Sequence, residues 1–152
     1  MTDTIQLPNQ NFPATTGEVN LTEVPTEWLI VYFYPKDSTP GCTVQACGLR
    51  DSEAQLAAQG VVVLGLSPDK PAALARFVAK ENLNFRLLAD SDHAVAEQWG
   101  VWGPKKFMGK DVVGIHRTSF LVGLDGVIEN VFDSFKTTNH HELVLAYLNG
   151  QR

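Results

Sequence analysis

A chain of 152 residues is the size of one domain, long enough to withdraw roughly two-thirds of its unfolded surface from water without metals or disulfide staples. Hydrophobic residues make up 44% and charged residues 19%, which excludes a disordered, collagen-like or coiled-coil chain. No apolar run approaches the ~20 residues that span a bilayer, and 17 acidic against 12 basic side chains leave a net charge of -5, the opposite of a nucleic-acid footprint. Neither nucleic acid nor membrane is therefore expected as a partner. The first residues, Met1 to Pro8, have no cationic start and no apolar segment, so the expectation is a cytoplasmic protein without a secretory signal. In that reducing compartment cysteines are rarely staples.

No internal repeat, low-complexity tract or linker interrupts the sequence, so residues 1–152 read as one domain. Trp28 to Tyr34 is apolar at every position, which predicts a strand covered on both faces of a partly parallel sheet. Cys42 to Ala58 is rich in helix formers, with Ala46, Leu49 and Leu56 on one side and Gly60 at its end. Val61 to Leu66 is a second apolar run, completing a βαβ unit. Pro71 to Glu81 predicts a helix with Leu74, Phe77 and Val78 inward. Phe85 to Leu88 fits a short strand, and Asp90 or Ser91 fits the cap of a helix carrying Val95 and Trp99 and stopped by Gly100. Trp102 to Gly109 shows no clear period. Its large apolar side chains fit either packing onto the core or an apolar rim for a substrate or partner.

Thr118 to Val122 and Val127 to Phe132 flank an Asp-Gly pair, Asp125-Gly126, and predict a hairpin. Asn139 with Glu142 resembles a capping box that opens a last helix, with Leu143, Ala146 and Tyr147 inward and Gly150 after it. The order of elements is that of an α/β thioredoxin-like fold, a central mixed sheet flanked by helices.

Chemistry centres on the only two cysteines, Cys42 and Cys47. With Thr39 as cap and Pro40 as first helical residue, Cys42 occupies the third helical position. Unpaired backbone N–H groups and the positive end of the helix dipole stabilise a thiolate there, which makes Cys42 a candidate nucleophile. Residues five apart on a helix are rotated by about 140° and rise about 7.5 Å, so their Cα atoms lie about 9 Å apart. A disulfide needs roughly 4.4–6.8 Å, so the two sulfurs cannot bond while the helix is intact. Zinc binding is disfavoured by the same spacing and by the lack of a second pair. Cys47 alone fits a buried structural thiol as well as a redox partner.

The segment Tyr34 to Asp51, reading YPKDSTPGCTVQACGLRD, resembles the signature of the bacterioferritin comigratory protein or peroxiredoxin Q group. It holds a Pro-x-x-x-Thr-x-x-Cys pattern as Pro35, Thr39 and Cys42, with a cysteine five positions on. Agreement continues through Gly65 to Asp69, Phe85 to Asp90, Gly100 to Trp102 and Arg117 to Val122. The resemblance implies that Cys42 is the peroxidatic nucleophile, that Thr39 orients peroxide, that Pro35 shields the thiolate and that Arg117 supplies positive charge. It further implies that Cys47 is the resolving thiol. Hydroperoxide would oxidise Cys42 to a sulfenic acid, Cys47 would condense with it to an intramolecular disulfide, and thioredoxin would reduce that bond. No metal, haem or flavin cofactor and no subunit exchange are called for, so a monomer is expected.

This sequence departs from that pattern at Gln45, where an acid is usual, at Trp99 for tyrosine and at Ser119 for threonine. Gln45 leaves the pairing of the helix with a neighbouring base open. His93, His140 and His141 read as solvated groups at helix starts, and His116 beside Arg117 is uncommitted. The acids at 90–92 read as caps, since a calcium loop needs a longer ligand series. Two other readings of the chain differ in what they require. General thiol-disulfide exchange would want a Cys-x-x-Cys, and a redox-responsive binding protein would reduce peroxide slowly while changing its partner affinity on oxidation.

Overall fold

A computed structural model describes residues 3–4, 12–14, 17–20, 28–35, 40–107, 109–123, 127–133 and 136–151. The chain begins with two-residue strands β1 (Asp3–Thr4), β2 (Phe12–Pro13) and β3 (Glu18–Val19), followed by β4 (Trp28–Phe33). Then come α1 (Pro40–Ala57), β5 (Val61–Ser67), α2 (Pro71–Glu81), β6 (Arg86–Ala89) and α3 (Ala94–Gln98). Strands β7 (Trp102–Phe107), β8 (Lys110–Ile115), β9 (Thr118–Gly123) and β10 (Val127–Phe132) lead to α4 (His140–Gln151).

Six strands form one mixed sheet in the order β1-β10-β9-β4-β5-β6. Strand β4 lies inside it, parallel to β5 and antiparallel to β9, and its two faces enter two different cores. Ile30 and Tyr32 point with Tyr34 toward α1, α2 and α4, among Leu49, Leu56, Leu74, Phe77, Val144 and Leu148. Leu29, Val31 and Phe33 point the other way, among Phe12, Val19, Val95, Trp99 and Phe120. Period-2 alternation explains the division, and covering on both faces explains why no position of the strand is polar. Each of these large side chains contributes roughly 1.5–3 kcal/mol by leaving water.

The βαβ unit, the helix over 71–81 and the β9–β10 hairpin follow the sequence expectation, and β6 is displaced from it by one residue. The turn between β9 and β10 lies outside the described residues. Pro40 opens α1, where its missing N–H costs no helical bond, and Gly60 with φ +76° turns the chain into β5. His93, in the left-handed conformation, holds the cap position of α3 in place of Asp90 or Ser91, while the Asp90 carboxylate accepts the N–H groups of Val95 and Ala96 at 3.1 and 3.0 Å. Burial raises the Asp90 pKa, and those two bonds oppose the rise. Outside the main sheet, Ala14 makes an isolated antiparallel bridge to Leu88 of β6.

Three further expectations are corrected. The stretch after Gly100 is a hairpin, since β7 pairs antiparallel with β8 from Trp102↔Ile115 to Phe107↔Lys110. Gly109, with φ +80°, provides a left-handed turn position that other residues rarely adopt. Trp102 packs partly against the second core and stacks on His93, centroids 3.8 Å apart, so His93 is not a freely solvated group. In α4 the inward residues are His140, Val144 and Leu148, with Tyr147 packed partly against the same core as expected, while Leu143 and Ala146 face solvent and Gly150 lies within the helix. His140 is 0% exposed, and its burial sets the i, i+4, i+8 stripe that faces the core.

Candidate active site

The antiparallel register Phe33↔Thr118 brings the end of β4 and the start of β9 to one edge of the sheet. The chain after β4 enters α1 there, and Arg117 precedes β9 there. Cys42 is the third residue of α1 and only 2% exposed. Arg117 Nη2 donates toward Cys42 Sγ at 3.4 Å, and Nη1 donates to Gln45 Oε1 at 2.6 Å. Residues 42 and 45 are one helical turn apart and share a face, so a single guanidinium spans both. Gln45 is 0% exposed. As a neutral acceptor it orients Arg117 without cancelling its charge, which resolves the pairing that the sequence left open.

Cys47 faces elsewhere. Its thiol is half-buried and donates to Glu81 Oε1 at 3.6 Å, on the last residue of α2. Burial, chiefly, raises its pKa; Arg50 opposes the rise and Glu81 adds to it. Both cysteines are free, and α1 runs unbroken through both positions, so the sulfurs are not brought together. Pro35 is half-buried directly after Tyr34, whose ring belongs to the same core as Cys42. Thr39 lies outside the described residues.

A cavity of about 800 Å³ adjoins Arg117, lined by Trp102, Pro104, Lys105, Ile115 and His116 among others. Lys105 Nζ donates to the Ile115 carbonyl at 2.6 Å. Burial foremost, and then the Arg117 charge, lower its pKa, with Cys42 acting in the opposite sense. Behind the site, His140 Nε2 and Ser119 Oγ are hydrogen-bonded at 2.7 Å. The reading of His140 as solvated is thus overturned. Gln45, Lys105 and His140 were not singled out as site residues by the sequence; the nearest signal was the departure at Gln45 and Ser119 from the family pattern.

A thioredoxin-like sheet that buries a helix-start cysteine beneath a guanidinium defines a thioredoxin-fold protein with a thiol centre. Residues 3–131 match the model of the AhpC/TSA family. The chain is 60% identical over 142 residues to peroxiredoxin Bcp of Escherichia coli strain K12, covering 93% of this chain and 91% of that protein. Among solved structures it is similar to the Xanthomonas campestris bacterioferritin comigratory protein, described for its alkyl peroxide reduction activity. There the TM-score is 0.86 and identity 31%, over 97% of this chain and 98% of the other. A cysteine-to-serine variant of PrxQ from Xylella fastidiosa gives a TM-score of 0.89 and 30% identity, over 98% and 94%. The chain belongs to the AhpC/TSA family, within its Bcp/PrxQ peroxiredoxins, and is thereby an antioxidant peroxidase that reduces peroxides.

Proposed function

We propose that this chain, acting as one domain and as a cytoplasmic monomer, reduces hydrogen peroxide and alkyl hydroperoxides through Cys42 and is recycled by thioredoxin. The Cys42 thiolate attacks the terminal peroxide oxygen. The O–O bond breaks, sulfur becomes a sulfenic acid, and the leaving alkoxide or hydroxide takes a proton. Negative charge grows on that oxygen, and Arg117 is the donor placed to receive it. Thr39 orients the peroxide by a hydrogen bond from its hydroxyl, Pro35 shields the sulfur, and the cavity beside Arg117 accepts the organic part of an alkyl hydroperoxide.

Cys47 then attacks the Cys42 sulfenic sulfur, forming the S–S bond and releasing water. Because α1 holds the two sulfurs apart, its first turns unwind before this step. Thioredoxin's dithiol is oxidised as the disulfide returns to two thiols. The observation that carries the reading is the 3.4 Å approach of Arg117 Nη2 to a nearly inaccessible Cys42 Sγ.

Mixing reduced protein with one equivalent of hydrogen peroxide and weighing the product tests it. Rapid loss of both thiols with a mass decrease of two hydrogens is expected, and Cys47→Ser should form sulfenic acid quickly yet lose thioredoxin-supported turnover. Thiol loss no faster than that of a simple free thiol would overturn the peroxidatic role and leave a redox-responsive binding protein as the reading to pursue.

A further inference from the structure

Three contacts sew the middle of α1 to the end of α2. Arg50 Nη1 donates to the Glu81 carbonyl at 2.6 Å, and Asn84 Nδ2 donates to the Arg50 carbonyl at 3.0 Å. Between them, Cys47 Sγ donates to Glu81 Oε1 at 3.6 Å. The first two engage the backbone carbonyls of Glu81 and Arg50 and hold α1 against the end of α2 and the turn after it, whatever Cys47 does. The third joins the thiol to the Glu81 carboxylate, within reach of the Arg50 charge, and the peroxidatic site does not use it. Glu81 ends α2, and Asn82 closes the helix in the left-handed conformation, its N–H bonded to the Val78 carbonyl, so the carboxylate projects from a fixed stem.

We infer that Glu81 is a clasp for Cys47: it retains the sulfur as a protonated thiol on the folded helix and releases it as a nucleophile only when α1 unwinds. The inference rests on the reading of Cys47 as the resolving cysteine. A thiol is a poor nucleophile beside its thiolate. A carboxylate in contact with sulfur opposes loss of its proton, and with burial it outweighs the nearby Arg50 charge, which favours that loss; Cys47 is thereby shielded from peroxide and other electrophiles while Cys42 is reduced. Unwinding carries Cys47 off Glu81 as it carries the two sulfurs toward each other. Glu81 is therefore a positioning residue for resolution, not a catalytic one.

The test is stopped-flow oxidation of wild type, Glu81→Ala and Glu81→Gln, with quenched samples weighed for the disulfide. The peroxide-independent phase should speed up about three- to tenfold when the clasp is removed, with Gln, which keeps the shape of Glu, giving the smaller gain. Alkylation of Cys47 by iodoacetamide, in a Cys42→Ser background, should accelerate in the same order. A resolution phase that is unchanged in the Glu81 variants, while wild type forms the disulfide, overturns the clasp alone. A slower phase overturns it in favour of Glu81 as the base that accepts the Cys47 proton. Thioredoxin-supported turnover that survives Cys47→Ser overturns the resolving role itself, and the clasp with it.

Discussion

Arg117 is held between the reactive sulfur and a neutral amide, so at neither contact does a carboxylate cancel its charge. A donor aimed at developing charge in a partly buried site is worth more than one in open water. Arg117→Ala is expected to slow oxidation of Cys42 by about 10- to 100-fold, read as the peroxide-dependent phase in stopped flow. A rate within about twofold of wild type would take Arg117 out of the reaction. His140 acts on stability instead. Burial, then the charges of His141 and Arg117, hold its pKa at about 3, against about 6.5 for an exposed imidazole. The unfolded chain therefore takes up this proton first. The stability that a neutral His140 allows is complete above about pH 6.5 and is lost as pH falls toward 3, at up to about 1.4 kcal/mol per pH unit. His140→Gln should flatten the change in urea midpoint between pH 7 and pH 5; an unaltered slope would assign the loss to other groups. Cys42 and Arg117 were legible because helix-start position and motif name them locally. The Gln45 bond to Arg117 joins positions 72 residues apart, and no local pattern announces such a meeting.

Helices α1 and α4 meet at Gly48, where an added Cβ would fall inside contact distance of His141 Nδ1. Glycine inside a helix costs about 1 kcal/mol relative to alanine, so Gly48→Ala should stabilise an isolated α1. Here we expect the reverse, a loss of roughly 1–3 kcal/mol from overpacking against the imidazole, seen as a lower urea midpoint. A rise would mean that His141 moves aside freely. The long helices and paired strands were readable because their apolar periods are unbroken. The β7–β8 hairpin was not: Gly103, Pro104, Gly109 and Gly114 interrupt any period-2 pattern. The inward face of α4 is only partly legible, in Tyr147, because its first core residue is a histidine, and a polar type at a helix start ordinarily faces water.

Across the molecule, the thioredoxin-like order of elements was legible, yet the edge where Cys42 and Arg117 meet depends on the register of β4 against β9, which residue types alone do not fix. The site is built across two elements, and only α1 has to loosen for the sulfurs to join. Amide exchange should show protection over residues 42–48 falling in the disulfide form while β4 and β9 remain protected; equal protection in both redox forms would contradict unwinding as a step of turnover. The isolated bridge from Ala14 to Leu88 has a consequence for the molecule's behaviour in concentrated solution. Strand β6 is the outermost strand on its side of the sheet, and a bare outer strand is a template for pairing with another chain. Removing residues 1–20 would strip Phe12 and Val19 from the second core and uncover that strand at once. Such a truncated chain should show self-association that grows with concentration in sedimentation runs more steeply than that of the full chain.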